Sequence, residues 1–231
     1  MASSGVYNFS NISAADLVVN AFGRIGIRRA ALQPEHMLDA STEANLLQVE
    51  ISNRQPLWWT LEEVSQTLTA DDPTYDLAGR VISIIAAYIS TTVNSTVTDR
   101  IIMPISVYDY AAIPNKTQSG VPTVYKFERL ITPRITLWQP PDDETTYTLK
   151  LQCLCQPEDV SLPSGTNVDA PYRFLDVFAS GLSHRLARLY RPEMEQARFT
   201  DYQRAWDHAA NQDQEEGVGL FIVPALEGYQ D

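Results

Sequence analysis

The spacing of apolar residues changes twice along this chain, and the change limits the folds open to it. Near both ends apolar residues recur every three or four positions, as on one face of a helix. The middle alternates and is rich in Thr and Val, as strands are. The sequence therefore predicts an α+β protein whose two ends are helical and whose middle is a β-rich insertion.

The first two predicted helices lie before residue 57. Ser13 can cap the first helix, which we expect over 13–30, and Pro34 suits the first turn of the second, which we expect to end at Pro56. Each helix has one apolar face that needs a partner. These faces are Leu17, Val18, Ala21, Phe22 and Ile25, and then Met37, Ala40, Ala44, Leu47 and Ile51.

The middle of the chain carries strand patterns separated by turn-forming residues. Turns are expected at Asp71-Asp72-Pro73, Ala78-Gly79, Gly120-Val121-Pro122 and Pro140-Pro141-Asp142-Asp143. Between them we expect about five to seven strands. Their expected positions are 64–69, 81–97, 100–105, 124–130, 135–138 and 147–155.

A second pair of helices is predicted after residue 167. Pro171 opens the longer one, and the other follows Pro192. Because neither pair can bury its apolar face alone, we expect 1–56 and 167–212 to form one four-helix bundle around an inserted antiparallel β-rich domain, 57–166. The two faces are Leu175, Phe178, Leu182, Leu186 and Leu189, and then Phe199, Tyr202, Trp206 and Ala209.

The chain ends in an extended arm, 213–231, with an acidic, glycine-containing start and an apolar run over 218–226. The run can fold back on its own bundle, or it can dock in the groove or on the sheet edge of another subunit. Both alternatives stay open. The candidate partner-binding residues are Leu220, Phe221, Ile222, Val223 and Leu226.

Charge excludes a protein whose main task is to grip nucleic acid. Acidic residues number 29 against 17 basic ones, a net charge of -12, so DNA is repelled and not bound tightly. The first residues show neither a signal peptide nor a membrane span, so we expect synthesis in a cytoplasm and no membrane contact.

No catalytic, cofactor or metal site is predicted. The three histidines, His36, His184 and His208, fall on three different predicted helices and are expected to be surface or satisfied residues. Cys153 and Cys155 alternate on one strand and are expected to be core thiols, because zinc would need a second pair of ligands.

Two further patterns are assigned to structure. The segment 19–26 is similar to a dinucleotide-binding turn, but it lacks the first glycine and lies in a capped helix, so its glycines are expected to ease helix packing. The adjacent Glu62 and Glu63 would point to opposite faces of a strand, so they are expected to be solvated rather than catalytic.

Several short motifs together resemble the head-to-tail adaptor (connector, or tail tubular protein A-like) family of short-tailed phages, over roughly 12–212. The final helix pair also matches that pattern. The motifs are Ala21-Phe22-Gly23-Arg24-Ile25-Gly26, Leu57-Trp58-Trp59, Tyr75-Asp76-Leu77, Gly120-Val121-Pro122-Thr123-Val124-Tyr125 and Leu137-Trp138-Gln139-Pro140-Pro141-Asp142.

The resemblance implies a structural virion protein of the neck, made in the bacterial host cytoplasm and not an enzyme. It implies a homo-oligomeric ring of twelve copies that joins the portal protein to the tail nozzle or tail tubular protein, with packaged DNA passing through the lumen. The C-terminal arm would grip the portal. The alternatives are another tail component, for tail completion or receptor binding, and a cell-wall hydrolase.

Overall fold

The computed structural model of the chain describes residues 5–6, 8–93, 95–162 and 166–213. Within these residues the chain is mixed α+β. The helices are α1 (Ala14–Arg24), α2 (Pro34–Arg54), α3 (Val107–Ala112), α4 (Leu175–Tyr190) and α5 (Glu195–Ala210). The strands are β1 (Leu61–Thr67), β2 (Thr74–Asp76), β3 (Val81–Val93), β4 (Thr96–Pro104), β5 (Val124–Glu128), β6 (Arg134–Trp138) and β7 (Tyr147–Cys155).

The start of α1 follows the sequence prediction, but its end does not. The Ser13 side chain accepts a hydrogen bond from the N–H of Asp16, as expected of a cap. The helix stops at Arg24 and not near residue 30, because Gly26 takes a left-handed φ of +80°. The N–H of Gly26 then bonds the carbonyl of Gly23, and the N–H of Ile27 bonds that of Phe22, which is a Schellman ending.

The glycines of this segment do not ease helix packing, so that prediction was wrong. A Cβ built on Gly23 or Gly26 meets no atom within 4 Å. Gly26 is required by its backbone conformation, and Gly23 is simply exposed. Close helix packing is found instead at Gly181 of α4, where an added Cβ would lie 2.7 Å from Leu47 Cδ1 and 2.9 Å from Tyr202 Cε2.

All seven strands belong to one curled sheet in the order β1-β7-β3-β4-β5-β6-β2. Neighbours are antiparallel except β4 and β5, which run parallel through Met103↔Val124 and Pro104↔Tyr125. A wholly antiparallel sheet was expected. The difference arises because the connection from β4 to β5 contains α3, a helix that was not expected, and is long enough to bring the chain back in the same direction.

The observed strand boundaries agree best with the predicted ones for the last two strands of the chain. β6 and β7 cover the predicted positions, and β2 was not predicted as a strand. The largest error is at the β3–β4 hairpin, where the chain turns between Val93 and Thr96 and not near residue 98. Ser95 takes a φ of +64° in that turn. Gly, Asn or Asp usually marks such a turn, so a Ser at this position gives little indication of it in the sequence.

The described residues form two apolar cores. One lies among the helices and includes the predicted faces of α1 and α2, with Met37 packed half-buried at its edge. The other lies on one face of the sheet. Val160 and Leu162, from the loop after β7, pack with the helices and not with the sheet. Two separate cores are consistent with a helical unit and a β unit, and the exact division at 57–166 stays a prediction.

α4 is the central helix of the helical core. Eleven of its sixteen residues are buried, and it packs against α1, α2 and α5. Leu175, Phe178, Leu182 and Leu186 are buried as predicted. Leu189 is 52% exposed, so its assignment to the apolar face was wrong, because it lies in the last turn where no helix covers it.

α5 covers one side of α4 with a narrower apolar face than expected. Tyr202, Trp206 and Ala209 are buried. Phe199 is 37% exposed and lies with its ring centroid 5.1 Å from that of His184. The predicted stripe of α5 is therefore confirmed over its last three members only.

A group of charged side chains joins α2, α4 and α5. Arg185 donates to Glu43 at 3.1 Å and to Glu50 at 2.7 Å, and Glu50 also accepts from Arg54 at 2.7 Å. The hydroxyl of Tyr202 donates to the same Glu50 carboxylate at 3.2 Å. Burial by itself raises the pKa of Glu50, but the hydrogen bonds and charges of Arg185 and Arg54 outweigh it and hold that pKa below 4.5.

Asp213 links the segment just before β1 to the segment just before α4. Its buried carboxylate pairs with Arg173, which lies in the 3₁₀ helix Tyr172–Phe174 just before α4. It also accepts from the N–H of Trp58, in the 3₁₀ helix Trp58–Thr60 just before β1. The segment that leads into β1 and the segment that leads into α4 are therefore held beside one carboxylate that follows α5. No helix in the described ranges is long and apolar enough to span a membrane.

We expect Gly181→Ala to lower the free energy of unfolding by about 1–3 kcal/mol, because the new methyl group overlaps the fully buried Leu47 and Tyr202. Gly23→Ala, which enters open space in a helix, should raise it by about 0.5–1 kcal/mol. Urea unfolding of the two variants measures both. Equal stability of the variants would contradict the central packing of α4.

Glu50→Gln should destabilise the fold at pH 7 by about 1–3 kcal/mol, because Arg185 and Arg54 lose a charged acceptor. The folded-state pKa of Glu50 is lowered, so this stabilisation is complete above pH 4.5 and is lost as pH falls through the folded pKa. The wild-type advantage should therefore shrink in urea titrations as the pH falls below 4.5 and through the lowered pKa of Glu50.

The control for that change is Glu193→Gln, which removes an exposed pair with Arg191 at 3.8 Å. It should alter stability by less than about 0.5 kcal/mol. If Glu50→Gln also changed the free energy of unfolding by less than this amount, the charged group would not stabilise the fold and apolar contacts alone would hold the helices.

Candidate interaction surfaces

One side of β4 is an open sheet edge. Over residues 96–102, here called the β4 edge, the strand pairs with β3 on one side. β5 reaches only Met103 and Pro104 on the other side. Within the described ranges no other strand covers the β4 edge, and six of its seven residues are exposed. An uncovered row of backbone N–H and C=O groups is a template for pairing with another chain.

The outward face of β4 carries an apolar stripe. Val97, Ile101 and Met103 are 60%, 74% and 62% exposed, and alternation along the strand places them on the same face. Ile102 points the other way and is 1% exposed. Exposed apolar side chains beside an open edge are unusual in a protein that functions alone, so this strand is a candidate contact surface.

β1 forms the other open edge of the same part of the sheet. All seven of its residues pair with β7, and no described strand lies on its other side. Glu62 and Glu63 point to opposite faces, as predicted. Glu62 pairs with Arg80 at 2.6 Å, and Glu63 accepts from the Tyr88 hydroxyl at 2.8 Å, a bond that raises the pKa of Tyr88. The two carboxylates therefore do not converge on a common point.

An uncharged stripe follows the exposed face of α2. Its members recur at helical spacing over four turns, and each is exposed. The α2 stripe consists of Leu38, Thr42, Leu46, Val49 and Asn53. Leu38 is 71% exposed, and Leu46 and Val49 on the same face are also exposed. The solvent-facing side of a surface helix usually carries charged and polar residues instead. The helical core thus also has a surface suited to contact.

The histidines do not form a catalytic group. They lie on three helices, as predicted, and His208 is exposed. His36 accepts the N–H of Gln33 at 2.9 Å and so caps α2. His184 was expected to be exposed or satisfied, but it is 4% exposed and its Nδ1 has no hydrogen-bond partner among the described residues. Burial lowers the pKa of His184, which favours the neutral ring.

The two cysteines lie in the β core, as predicted. Cys153 and Cys155 are both buried and are not joined in a disulfide. Burial raises the pKa of Cys153 to about 12, so the thiol stays protonated and unreactive. Among the described residues no cluster of three or more His, Cys, Asp or Glu side chains has the arrangement of a metal site.

Two clefts in the described part of the chain lack the convergent acidic groups, free of ion pairs, that a cell-wall hydrolase needs. The cleft between α2 and β3, about 320 Å³, is lined by Arg54, Arg129 and Cys155 and has no carboxylate or histidine in its lining. A second cleft, about 350 Å³, contains Asp176 and Asp201. Each of these is ion-paired with an arginine, at 2.7 Å and 3.1 Å, so neither is poised as a general acid.

Sequence reasoning placed the partner-binding residues elsewhere. Leu220, Phe221, Ile222, Val223 and Leu226 lie outside the described residues. The β4 edge was not identified from the sequence as a candidate contact surface, although Ile101-Ile102-Met103 is an apolar run within a strand. Only the pairing pattern shows that this strand is left uncovered.

A family model described as SU10 adaptor protein matches residues 13–220. No curated protein matches the sequence. The matched segment begins at the cap of α1, includes both cores and extends beyond α5. Because the match covers nearly the whole chain, this protein belongs to the SU10 adaptor protein family.

Proposed function

We propose that the chain is a head-to-tail adaptor of a short-tailed phage, which joins the portal to the tail in the neck of the virion. The observation that carries the proposal is the family match over residues 13–220, because it spans the helical core and the β unit together. A phage adaptor is a structural component of the virion, and this role requires contact surfaces and no active site.

The described surface supports an assembly role. The stripe on β4 and the α2 stripe expose apolar side chains on two different units of the fold. Each unit has its own core of buried apolar residues, and the exposed stripes are not part of either core. Apolar surface that the described part of the chain leaves uncovered is best explained by a partner that covers it.

The proposed arrangement has three parts. The helices of 1–56 and 167–212 form one bundle, 57–166 form the inserted β-rich domain, and 213–231 form the arm. Asp213, the first residue of the proposed arm, is paired with Arg173. We propose that Leu220, Phe221, Ile222, Val223 and Leu226 of the arm bind the portal, since they form an apolar run at a chain end.

Identical subunits that contact one another head to tail form a closed ring when the rotation from one subunit to the next is a whole-number fraction of 360°. We propose a ring of twelve copies, with the tail nozzle or tail tubular protein on the side away from the portal. A net charge of -12 per subunit would repel packaged DNA and let it move through the lumen without sticking.

The alternative tail roles have less support. A receptor-binding subunit would be expected to show clustered exposed aromatics on its β unit, whereas among the described residues of 57–166 Tyr108 alone is a strongly exposed aromatic, at 87%. A cell-wall hydrolase would need convergent carboxylates, and those in the described clefts are ion-paired with arginines.

Negative-stain microscopy of the purified protein mixed with the portal ring of the same phage tests the function. We expect a second ring stacked on the portal, because the proposed role requires that contact. A protein that ignores the portal but binds tail proteins or the cell surface would contradict the proposal in favour of another tail role.

Truncation after Gly217 tests the arm. The shortened chain keeps Asp213 and its contacts with Arg173 and Trp58, so it should fold with an unchanged melting temperature. It should no longer bind the portal in the same microscopy assay. The matched control is Asp213→Ala in the full-length chain, which should lower stability because Arg173 loses its partner. Portal binding by the truncated chain would show that the arm is not the portal contact.

A further inference from the structure

The two open edges described above bound the same part of the sheet. The section β1-β7-β3-β4 has β1 on one side and the β4 edge on the other. Each edge offers seven residues: β1 is seven residues long, and seven consecutive residues of β4 pair with β3 alone. Edges of equal length can cover each other with few unpaired groups at either end.

The directions of these strands suit contact between copies. β1 is antiparallel to β7, β7 to β3, and β3 to β4, so β1 and β4 run in opposite directions. A rotation about an axis along the strands keeps every strand direction. A second copy placed beside the first in this way therefore brings its β1 antiparallel to the β4 edge, which continues the alternation of the sheet.

We propose that the β4 edge of one copy pairs with β1 of the next copy, so that the sheet is continuous between neighbouring subunits. This interface is heterologous: each copy uses a different edge on each side, as a closed ring requires. The proposal rests on the adaptor function, because it gives the subunit-to-subunit contact of the proposed ring.

The side chains select the register. Residues opposite each other must share a face, so odd positions of β1 meet odd positions of β4. When Thr67 lies opposite Val97, Ser65 lies opposite Asp99 and Val64 opposite Arg100. No like charges are then directly opposed: Arg100, which makes no ion pair with the described residues, lies diagonal to Glu62, and Asp99 lies diagonal to Glu63. Six residues of the β4 edge, 97–102, pair with 62–67, and Leu61 falls opposite Met103, which already pairs with β5.

Pairing of β4 with β4 of a second copy fits less well. With all seven residues paired about a two-fold axis, Asp99 lies opposite Asp99, and like charges directly opposed are unfavourable. Such a dimer would also use the β4 edges of both copies against each other and leave β1 uncovered. The charges and the unused edge therefore favour the pairing of β4 with β1.

Cysteine crosslinking tests the pairing in rings assembled on the portal of the same phage. One chain carries Val97→Cys and the other Thr67→Cys; both positions are exposed, so the fold should be unaffected. Opposed residues in an antiparallel pair lie about 4.5–5.5 Å apart at Cα, within reach of a disulfide. The buried native cysteines should not react.

We expect oxidation of the mixed rings to give a crosslinked dimer of the two variants on non-reducing gels, and neither variant alone to give one. A chain carrying both substitutions should give a ladder of higher oligomers. The matched control is Thr148→Cys in place of Thr67→Cys: Thr148 pairs with Thr67 one strand further inside, about 10 Å from the neighbour, and should not crosslink.

Each outcome separates the edge pairing from the function. Crosslinking of Val97→Cys with Ser65→Cys supports the same interface shifted by two residues. A portal-bound ring with no β4–β1 product overturns the edge pairing and leaves the adaptor function standing. Crosslinking of Val97→Cys with Ile101→Cys overturns it in favour of β4–β4 contact. Failure to form any ring on the portal overturns the proposed function itself.

Discussion

The burial of α4 is the constraint on which the rest of the protein depends. α4 packs against helices from both ends of the chain, and its Gly181 lets Leu47 of α2 and Tyr202 of α5 approach where a Cβ would not fit. Neither helix pair could hide its apolar face alone. The helical core therefore forms only when the two ends of the chain meet, and the β unit is held between them.

The polar contacts of this core fix which helices are neighbours. Arg185 of α4 is satisfied only if Glu43 and Glu50 of α2 lie beside it, and Glu50 also receives the Tyr202 hydroxyl from α5. A buried charge without its partner is costly, so this group disfavours other packings of the same apolar faces. In the same way, the Asp213 carboxylate holds the segment before β1 next to the segment before α4.

The sheet differs from the helical core in what it leaves unpaired. Its interior strands are hydrogen-bonded on both sides, but β1 and most of β4 pair with a described strand on one side only. Parallel pairing of β4 with β5 ends after two residues, which leaves the remainder of β4 open next to exposed Val97 and Ile101. A protein that acted alone would be expected to cover such an edge, and the two charged residues on it, Asp99 and Arg100, leave the apolar side chains beside them exposed. In a virion adaptor, an edge left open in the single chain is a natural place for a neighbouring subunit.

The sequence by itself determined the local elements: the Ser13 cap, the start of α2 at Pro34, the buried faces of α1 and α2, and the positions of β6 and β7. These depend on periodicity and on residues a few positions apart. Only the tertiary structure decided that Gly181 is the close contact, that His184 is buried, that Leu189 is exposed and that β4 is left open. Periodicity shows which face is apolar, but which segment covers that face depends on contacts between residues far apart in the chain.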